Sequence, residues 1–297
     1  MHRLIADELS KRKIGYAQEV SIKGYTTLGV EATAAMTVFP TEVGEAVFIL
    51  DLIRRLGADF KTVGKMSNSI PKSSYYGGVI VNTAKMNRKT VAENLVTVDA
   101  GATLSSLVRY SAEYRLGGME QLLHIPGTVG GSVAGNAGAH GREIADVFLH
   151  GSFYEIRTGD TVTLTKEQLD FSYRHSRLKN EPYILLDATF SMTEKPREQI
   201  FDEVRLYGLK RSNQPLRERT LGSTFKRYGG VSAGYYIDMA GLKGLSVGGA
   251  EVSTVHAGFI VNRGGATPED VIELVNTVKS RVYEKFGIML EEEIEFF

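Results

Sequence analysis

Between Ile125 and Ala139 the chain reads Ile125-Pro126-Gly127-Thr128-Val129-Gly130-Gly131-Ser132, followed by Gly135-Asn136-Ala137-Gly138-Ala139. Main-chain N–H groups in glycine-rich turns, or at a helix start, converge on anions. Missing Cβ atoms let a flat ring or a pyrophosphate approach the backbone. The segment therefore reads as a loop that holds the phosphates of a dinucleotide. Its spacing is neither the G-x-G-x-x-G of a Rossmann turn nor a Walker loop ending in Lys-Ser/Thr. A nicotinamide domain of that kind and a P-loop ATPase are both disfavoured. The plain alternative is a set of tight turns in a crowded sheet.

Other groups could add chemistry. Gly64-Lys65-Met66-Ser67-Asn68 can present side chains and amides to a second phosphate, or be an ordinary loop. From Arg205 to Arg227 seven cations (Arg205, Lys210, Arg211, Arg217, Arg219, Lys226, Arg227) face one acid, Glu218. That local excess suits a phosphate-bearing small ligand or a solvated basic face. Ser223 follows Gly222 without a G-x-S-x-G elbow, so a proton donor is a better role for it than an acyl nucleophile. Glu291, Glu293 and Glu295 alternate and would share one face of a final strand. Crowded carboxylates there raise one another's pKa, or simply protect an edge. Arg174, in Tyr173-Arg174-His175-Ser176, can polarise a carbonyl or carboxylate, or lie on the surface. The six histidines are scattered, so no metal site is assigned.

These groups need a folded frame. A chain of 297 residues suggests two or three domains of roughly 100 residues each. It has 42% hydrophobic and 24% charged residues, as a globular protein does. Lys plus Arg equals Asp plus Glu, 35 each, so no global field attracts nucleic acid or a membrane. Cysteine is absent, which removes disulfides, thiolate metal sites and a cysteine nucleophile. No apolar run approaches the roughly 20 residues needed to span a bilayer. Met1–Lys13 is charged and polar rather than a signal peptide, and the expected location is cytoplasmic. Strands are expected at 35–39, 60–63, 79–82, 95–98, 147–156, 162–164, 183–190 and 288–297. A helix capped by Thr41 should end at Gly57. Others should cover 104–114, 198–209 and the stretch from Pro268 to Gly287.

Taken together the motifs resemble one family, UDP-N-acetylenolpyruvoylglucosamine reductase, colinearly from about Gly24 to Phe297. The likeness is carried by Ile125–Ser132 with Asn136–Ala139, Tyr173–Ser176 and Gly222–Arg227. Ala240–Gly244, Gly248–Ser253, His256–Asn262, Lys285–Ile288 and Leu290–Ile294 continue it in order. The chain looks like the shorter subtype of that family. The resemblance implies an α+β fold, with a two-lobed FAD-binding module of the vanillyl-alcohol-oxidase (PCMH) type and a C-terminal α+β substrate domain. Residues 1–80 and 81–197 would be the FAD lobes, and 198–297 the substrate domain. It implies an NADPH-dependent flavoenzyme of peptidoglycan precursor synthesis, acting as a monomer on a nucleotide sugar. Hydride reaches C3 of the enolpyruvyl ether and C2 is protonated, giving UDP-N-acetylmuramate. By position, Ser223 is the C2 proton donor, and Arg174 with Glu293 stabilises the enolate-like intermediate. Gly64, Ser67, Asn68, Pro126, Gly127, Thr128, Gly130, Gly131, Asn136, Ala137 and Gly138 would hold FAD. Lys226 and Arg227 would meet the diphosphate.

The chain departs from the family pattern at Glu31-Ala32, where a Gly-Gly pair is usual, and at Lys65-Met66, usually a small glycine-containing turn. Glu295 stands where Arg is frequent, and Tyr228 where Pro is. Met66 would put a side chain where backbone should approach phosphate; Glu31 and Glu295 would add negative charge near an anionic cofactor. A divergent paralogue that binds a nucleotide sugar, or regulates, while holding FAD weakly or not at all is the second reading.

Overall fold

The structure is a computed structural model and describes residues 1–211, 214–215 and 217–297. Its contacts divide the chain into two units. The first comprises Met1–Ala17, Met36–Lys65 and Gly78–Lys210; the second comprises Gln18–Ala35, Met66–Gly77 and Arg211–Phe297.

The first unit is organised by a five-stranded antiparallel sheet. Its order is Thr161–Thr165, Phe148–Glu155, Tyr183–Ser191, Leu95–Asp99, Lys89–Ala92. Successive side chains of a strand point to opposite faces, and both faces are used. Phe153 and Leu185 join Val96, Leu107, Val129 and Val133 in one core. Their chain neighbours Tyr154 and Leu186 join Ile5, Leu9, Ile49 and Ile53 in the other. Each fully buried side chain of this kind stabilises the fold by about 1.5–3 kcal/mol.

Helix α1 (His2–Lys11) belongs to the second of these cores and was not anticipated from a segment that reads as charged and polar. Ile5 and Leu9, one turn apart, bury a narrow apolar stripe that a polar majority conceals. Helix α2 (Val43–Leu56) ends at Gly57, with φ 61° as a left-handed cap requires. Its N-cap is Glu42 rather than Thr41. Thr41 is instead held from inside the helix, because its N–H and hydroxyl both donate to Glu45, at 2.7 and 2.8 Å. Phe60–Val63 pairs in parallel with Val79–Asn82. Helix α3 (Leu104–Glu113) is capped by the Thr103 hydroxyl, α4 (Val129–Ala134) lies inside the glycine-rich segment, and α5 (Arg197–Leu209) closes the unit.

The second unit has a four-stranded antiparallel sheet in the order Thr220–Ser223, Phe259–Asn262, Ala250–Val252, Ser246–Val247. Helix α6 (Ala233–Met239) and helix α7 (Pro268–Phe286) belong to it. A capping box between Thr267 and Asp270 starts α7, with Pro268 in its first turn and Gly287 at its end. Such a cap is worth about 0.5–2 kcal/mol. The expected strand over 288–297 shrinks to Glu295–Phe296, parallel to Ser69–Ile70. Upstream of it, Glu291 and Glu293 bond to the segment after Ser223, where Phe225 and Glu292 form an isolated antiparallel bridge. The class is α+β.

Candidate active site

Within the first unit, Leu104 N–H donates to Gly127 and Val129 N–H to Ala102, so Thr128 pairs with Thr103 in an isolated bridge. In that kind of pair the amide of Thr128 points away from Thr103. Gly130 N–H donates to Ala100 at 2.8 Å, and the amides of Ser132, Gly135, Asn136 and Ala137 donate along the segment itself. The loop therefore uses most of its amides internally. For the amides of Thr128 and Gly131 no acceptor is seen among the described residues. A helix start leaves such donors available. Gly131 is exposed, and a Cβ there would meet nothing nearer than Thr128 Oγ1 at 3.9 Å. Gly64 is brought against Thr128: a Cβ on it would lie 2.2 Å from that hydroxyl. Pro126 is exposed and Gly127 is buried with φ 143°.

Asn136 is only 1% exposed and takes a left-handed backbone. Its side-chain amide donates to Glu143 at 2.8 Å and to the Ser172 carbonyl at 3.0 Å, and accepts from Ala145 N–H. It buttresses the loop from behind. Gly138 passes so close to Glu143 that a Cβ would meet its Cγ at 2.7 Å, and Gly138 offers its carbonyl to Arg174 Nη2 at 3.1 Å. Arg174 sits at the tip of a tight turn closed by mutual Ser172 and His175 backbone bonds. Its φ of 56° is held there by the turn and by the buried Ser176 hydroxyl, which donates to Ala134. Arg174 is thus aimed at the end of the glycine-rich segment.

In the second unit Ser223 is exposed at the end of its strand, after Gly222 with φ 80°. Thr224 N–H donates to Gly258, and the Thr224 carbonyl accepts Glu293 N–H at 2.9 Å. Ser223 and Glu293 are therefore neighbours on two joined segments. Asn68 closes the clasp: its amide donates to the Glu293 carbonyl at 2.9 Å, and its carbonyl accepts Glu295 N–H at 2.8 Å. Lys226 pairs with Glu291, so a phosphate would have to displace a carboxylate. Arg227 is exposed. The one acid of the basic stretch, Glu218, is taken up by Arg263 from outside it, which also pairs with Glu251. Burial pulls the Arg211 guanidinium below its usual range.

Two of the departures noted above have local explanations in the second unit. Met66 keeps the left-handed backbone a glycine would take, φ 42°. Its side chain is 3% exposed, and its carbonyl accepts the Thr26 hydroxyl and Thr27 N–H. The Glu31 carboxylate is paired with Lys23. Ser67 and Glu295 are half-buried.

The sequence signature described as "UDP-N-acetylenolpyruvoylglucosamine reductase, C-terminal domain" matches residues 214–297, and that described as "FAD binding domain" matches residues 34–165. A UDP-N-acetylenolpyruvoylglucosamine reductase of Caldicellulosiruptor saccharolyticus is 41% identical over 293 residues, covering 97% of this chain and 94% of that one. The chain belongs to the UDP-N-acetylenolpyruvoylglucosamine reductase family. A reductase of Lactobacillus helveticus is 35% identical over 97% of this chain and 96% of its own. The crystal structure of the reductase from Thermus caldophilus superposes with a TM-score of 0.80 at 32% identity, covering 96% of this chain and 98% of that chain.

Two residues of the shared motifs have roles that only the structure shows. Ser176 tethers the Arg174 turn, and Asn262 donates to the carbonyls of both Leu28 and Gly29 at 3.0 and 2.9 Å. Asn262 falls in a motif shared with the family, but only its long-range bonds reveal what it does. Among the described residues no helix is long and apolar enough to cross a membrane, and no His, Cys, Asp and Glu group could hold a metal ion.

Proposed function

We propose that the protein is a UDP-N-acetylmuramate dehydrogenase: with FAD bound and NADPH as reductant, it reduces the enolpyruvyl ether of UDP-N-acetylglucosamine enolpyruvate to UDP-N-acetylmuramate. The observation that carries this is a match to reductases of that name over nearly the whole chain, 41% identical in one case. The glycine-rich segment fits a dinucleotide, because the Thr128 and Gly131 amides have no acceptor among the described residues and Gly131 leaves its side open to close approach. Bound FAD supplies the hydride carrier between NADPH and the enolpyruvyl ether.

The chain's own residues supply the rest. Pro126, Gly127, Thr128, Gly130, Gly131, Ala137 and Gly138 shape the face that holds FAD. Asn136 and Gly64 set the loop's path, and Ser67 and Asn68 extend the assignment to the second turn. The Ser223 hydroxyl delivers a proton to C2 as hydride arrives at C3. A positioned general acid typically contributes about 10²–10⁴-fold. Arg174 and Glu293 stabilise the charge that develops on the enolate oxygen; oriented groups of this sort contribute several kcal/mol. Lys226 and Arg227 receive the diphosphate, with Glu291 giving way to it. The support for these roles is the Thr224–Glu293 bond, which makes Ser223 and Glu293 neighbours, and the Arg174 bond to Gly138.

We assign the enzyme to the cytoplasm, where NADPH is available, as a monomer. Purified protein should carry a flavin absorption band near about 450 nm and turn over NADPH catalytically when the enolpyruvyl nucleotide sugar is added. Protein that remains colourless after incubation with FAD would favour the nucleotide-sugar-binding paralogue instead.

A further inference from the structure

The turn between Ala250–Val252 and Phe259–Asn262 holds a histidine to which the chemistry above gives no task. His256 is half-buried, and its ring meets Phe259 edge to face at 4.9 Å between centroids. Two glycines make room for it. A Cβ on Gly234 would lie 3.0 Å from its Cε1, and a Cβ on Gly258 would lie 3.0 Å from the same atom. Gly258 N–H donates to His256 Nδ1 at 3.1 Å. An accepting Nδ1 leaves the proton of the neutral ring on Nε2, so the bond selects one tautomer. The main chain closes around it, with Phe259 N–H on the His256 carbonyl and His256 N–H on the hydroxyl of the buried Ser253.

Gly258 then hands this order on. Its carbonyl accepts Thr224 N–H at 2.9 Å, and the next residue, Phe259, is the register partner of Ser223. We infer that His256 is a positioning residue for Ser223: the neutral ring fixes Gly258, Gly258 fixes Thr224, and the Ser223 hydroxyl is thereby held in place. The inference rests on Ser223 being the proton donor. Burial holds the imidazole below its usual range; a bond to the residue's own backbone opposes that, Lys243 reinforces it, and Asp238 opposes it. Lys243 and Asp238 pair with each other at 2.7 Å. Protonation of Nδ1 removes the acceptor for Gly258 N–H. Proton delivery to substrate should therefore fall as pH drops through that lowered value, and show no further titration of His256 above it.

The test uses FAD-loaded enzyme and follows the two half-reactions separately by stopped-flow absorbance. His256→Ala should slow flavin reoxidation by substrate about tenfold or more, since small misplacements of a reacting group cost up to about 10²-fold. Reduction by NADPH should proceed at the wild-type rate. His256→Asn places an oxygen that can accept the N–H two residues on, so it should recover most of the loss and lack the acid limb of the pH profile. A His256→Ala enzyme that reoxidises at the wild-type rate overturns the inference. So does a His256→Asn enzyme that keeps the acid limb, and this second result decides the matter if the Ala variant does not fold. Imidazole ¹⁵N resonances should show the Nε2–H form; the Nδ1–H form would also overturn it. Ser223→Ala run alongside separates the two failures. If that variant reoxidises normally, the donor assignment is wrong; if it is crippled while His256→Ala is not, only the role of His256 is wrong.

Discussion

The glycine-rich segment of the first unit and the Ser223–Glu293 clasp of the second make their surfaces in opposite ways. Around Thr128 the surface exists because atoms are missing. Gly64 packs where a Cβ would strike Thr128 Oγ1, and Gly131 leaves open space. Around Ser223 it exists because bonds are added. Thr224 is held by Gly258, and it holds Glu293, whose carbonyl Asn68 fastens. The first device depends on the missing Cβ of Gly64; the second depends on its hydrogen-bonding groups staying in place. Polar side chains near the glycine-rich loop, such as Asn136, act as supports, whereas Ser223 stands exposed at the surface it serves.

That contrast can be broken or sharpened by mutation. The largest effect should come from Ser223→Ala. It should slow substrate-driven flavin reoxidation by about 10²–10⁴-fold, the range of a lost general acid, and leave reduction by NADPH unchanged. Equal losses in both half-reactions would remove Ser223 from its role. Next is Gly64→Ala, which overpacks Thr128. Strain of about 1–3 kcal/mol would weaken FAD binding by roughly 5- to 150-fold in a titration. Combining it with Thr128→Gly should restore part of the loss; a single variant with normal affinity would show that the two loops do not pack tightly. Asn68→Ala should follow, destabilising the clasp by about 1 kcal/mol in denaturant unfolding and lowering turnover more than it raises KM. The smallest change belongs to Glu31→Ala. This exposed pair with Lys23 should contribute about 0–1 kcal/mol, and FAD affinity should shift by less than about twofold. A large gain in affinity would mean that the carboxylate does repel the cofactor.

Some of this was legible without coordinates. Pro268, Thr267 and Gly287 announced α7, because caps and stops depend on neighbours within one turn. Gly57 announced the end of α2 for the same reason. Helix α1 was hidden, since two apolar residues among charges carry little periodic signal until a core claims them. The terminal strand was overestimated because alternation of glutamates over 291–295 resembles a strand, while the actual partner there is an irregular segment more than sixty residues upstream.

The residue types that can hold phosphate, donate a proton and stabilise an oxyanion, together with their order along the chain, were set by the sequence by itself, and with them the family. Which of those groups act on a ligand and which on the protein was decided by the tertiary structure. Asn136 and Asn68 look alike as candidates, yet one ties its own loop to the Ser172 carbonyl and the other clasps the Glu293 backbone. A side chain has only a few hydrogen-bonding positions, and whether distant segments of the chain occupy them is known only once the chain has folded.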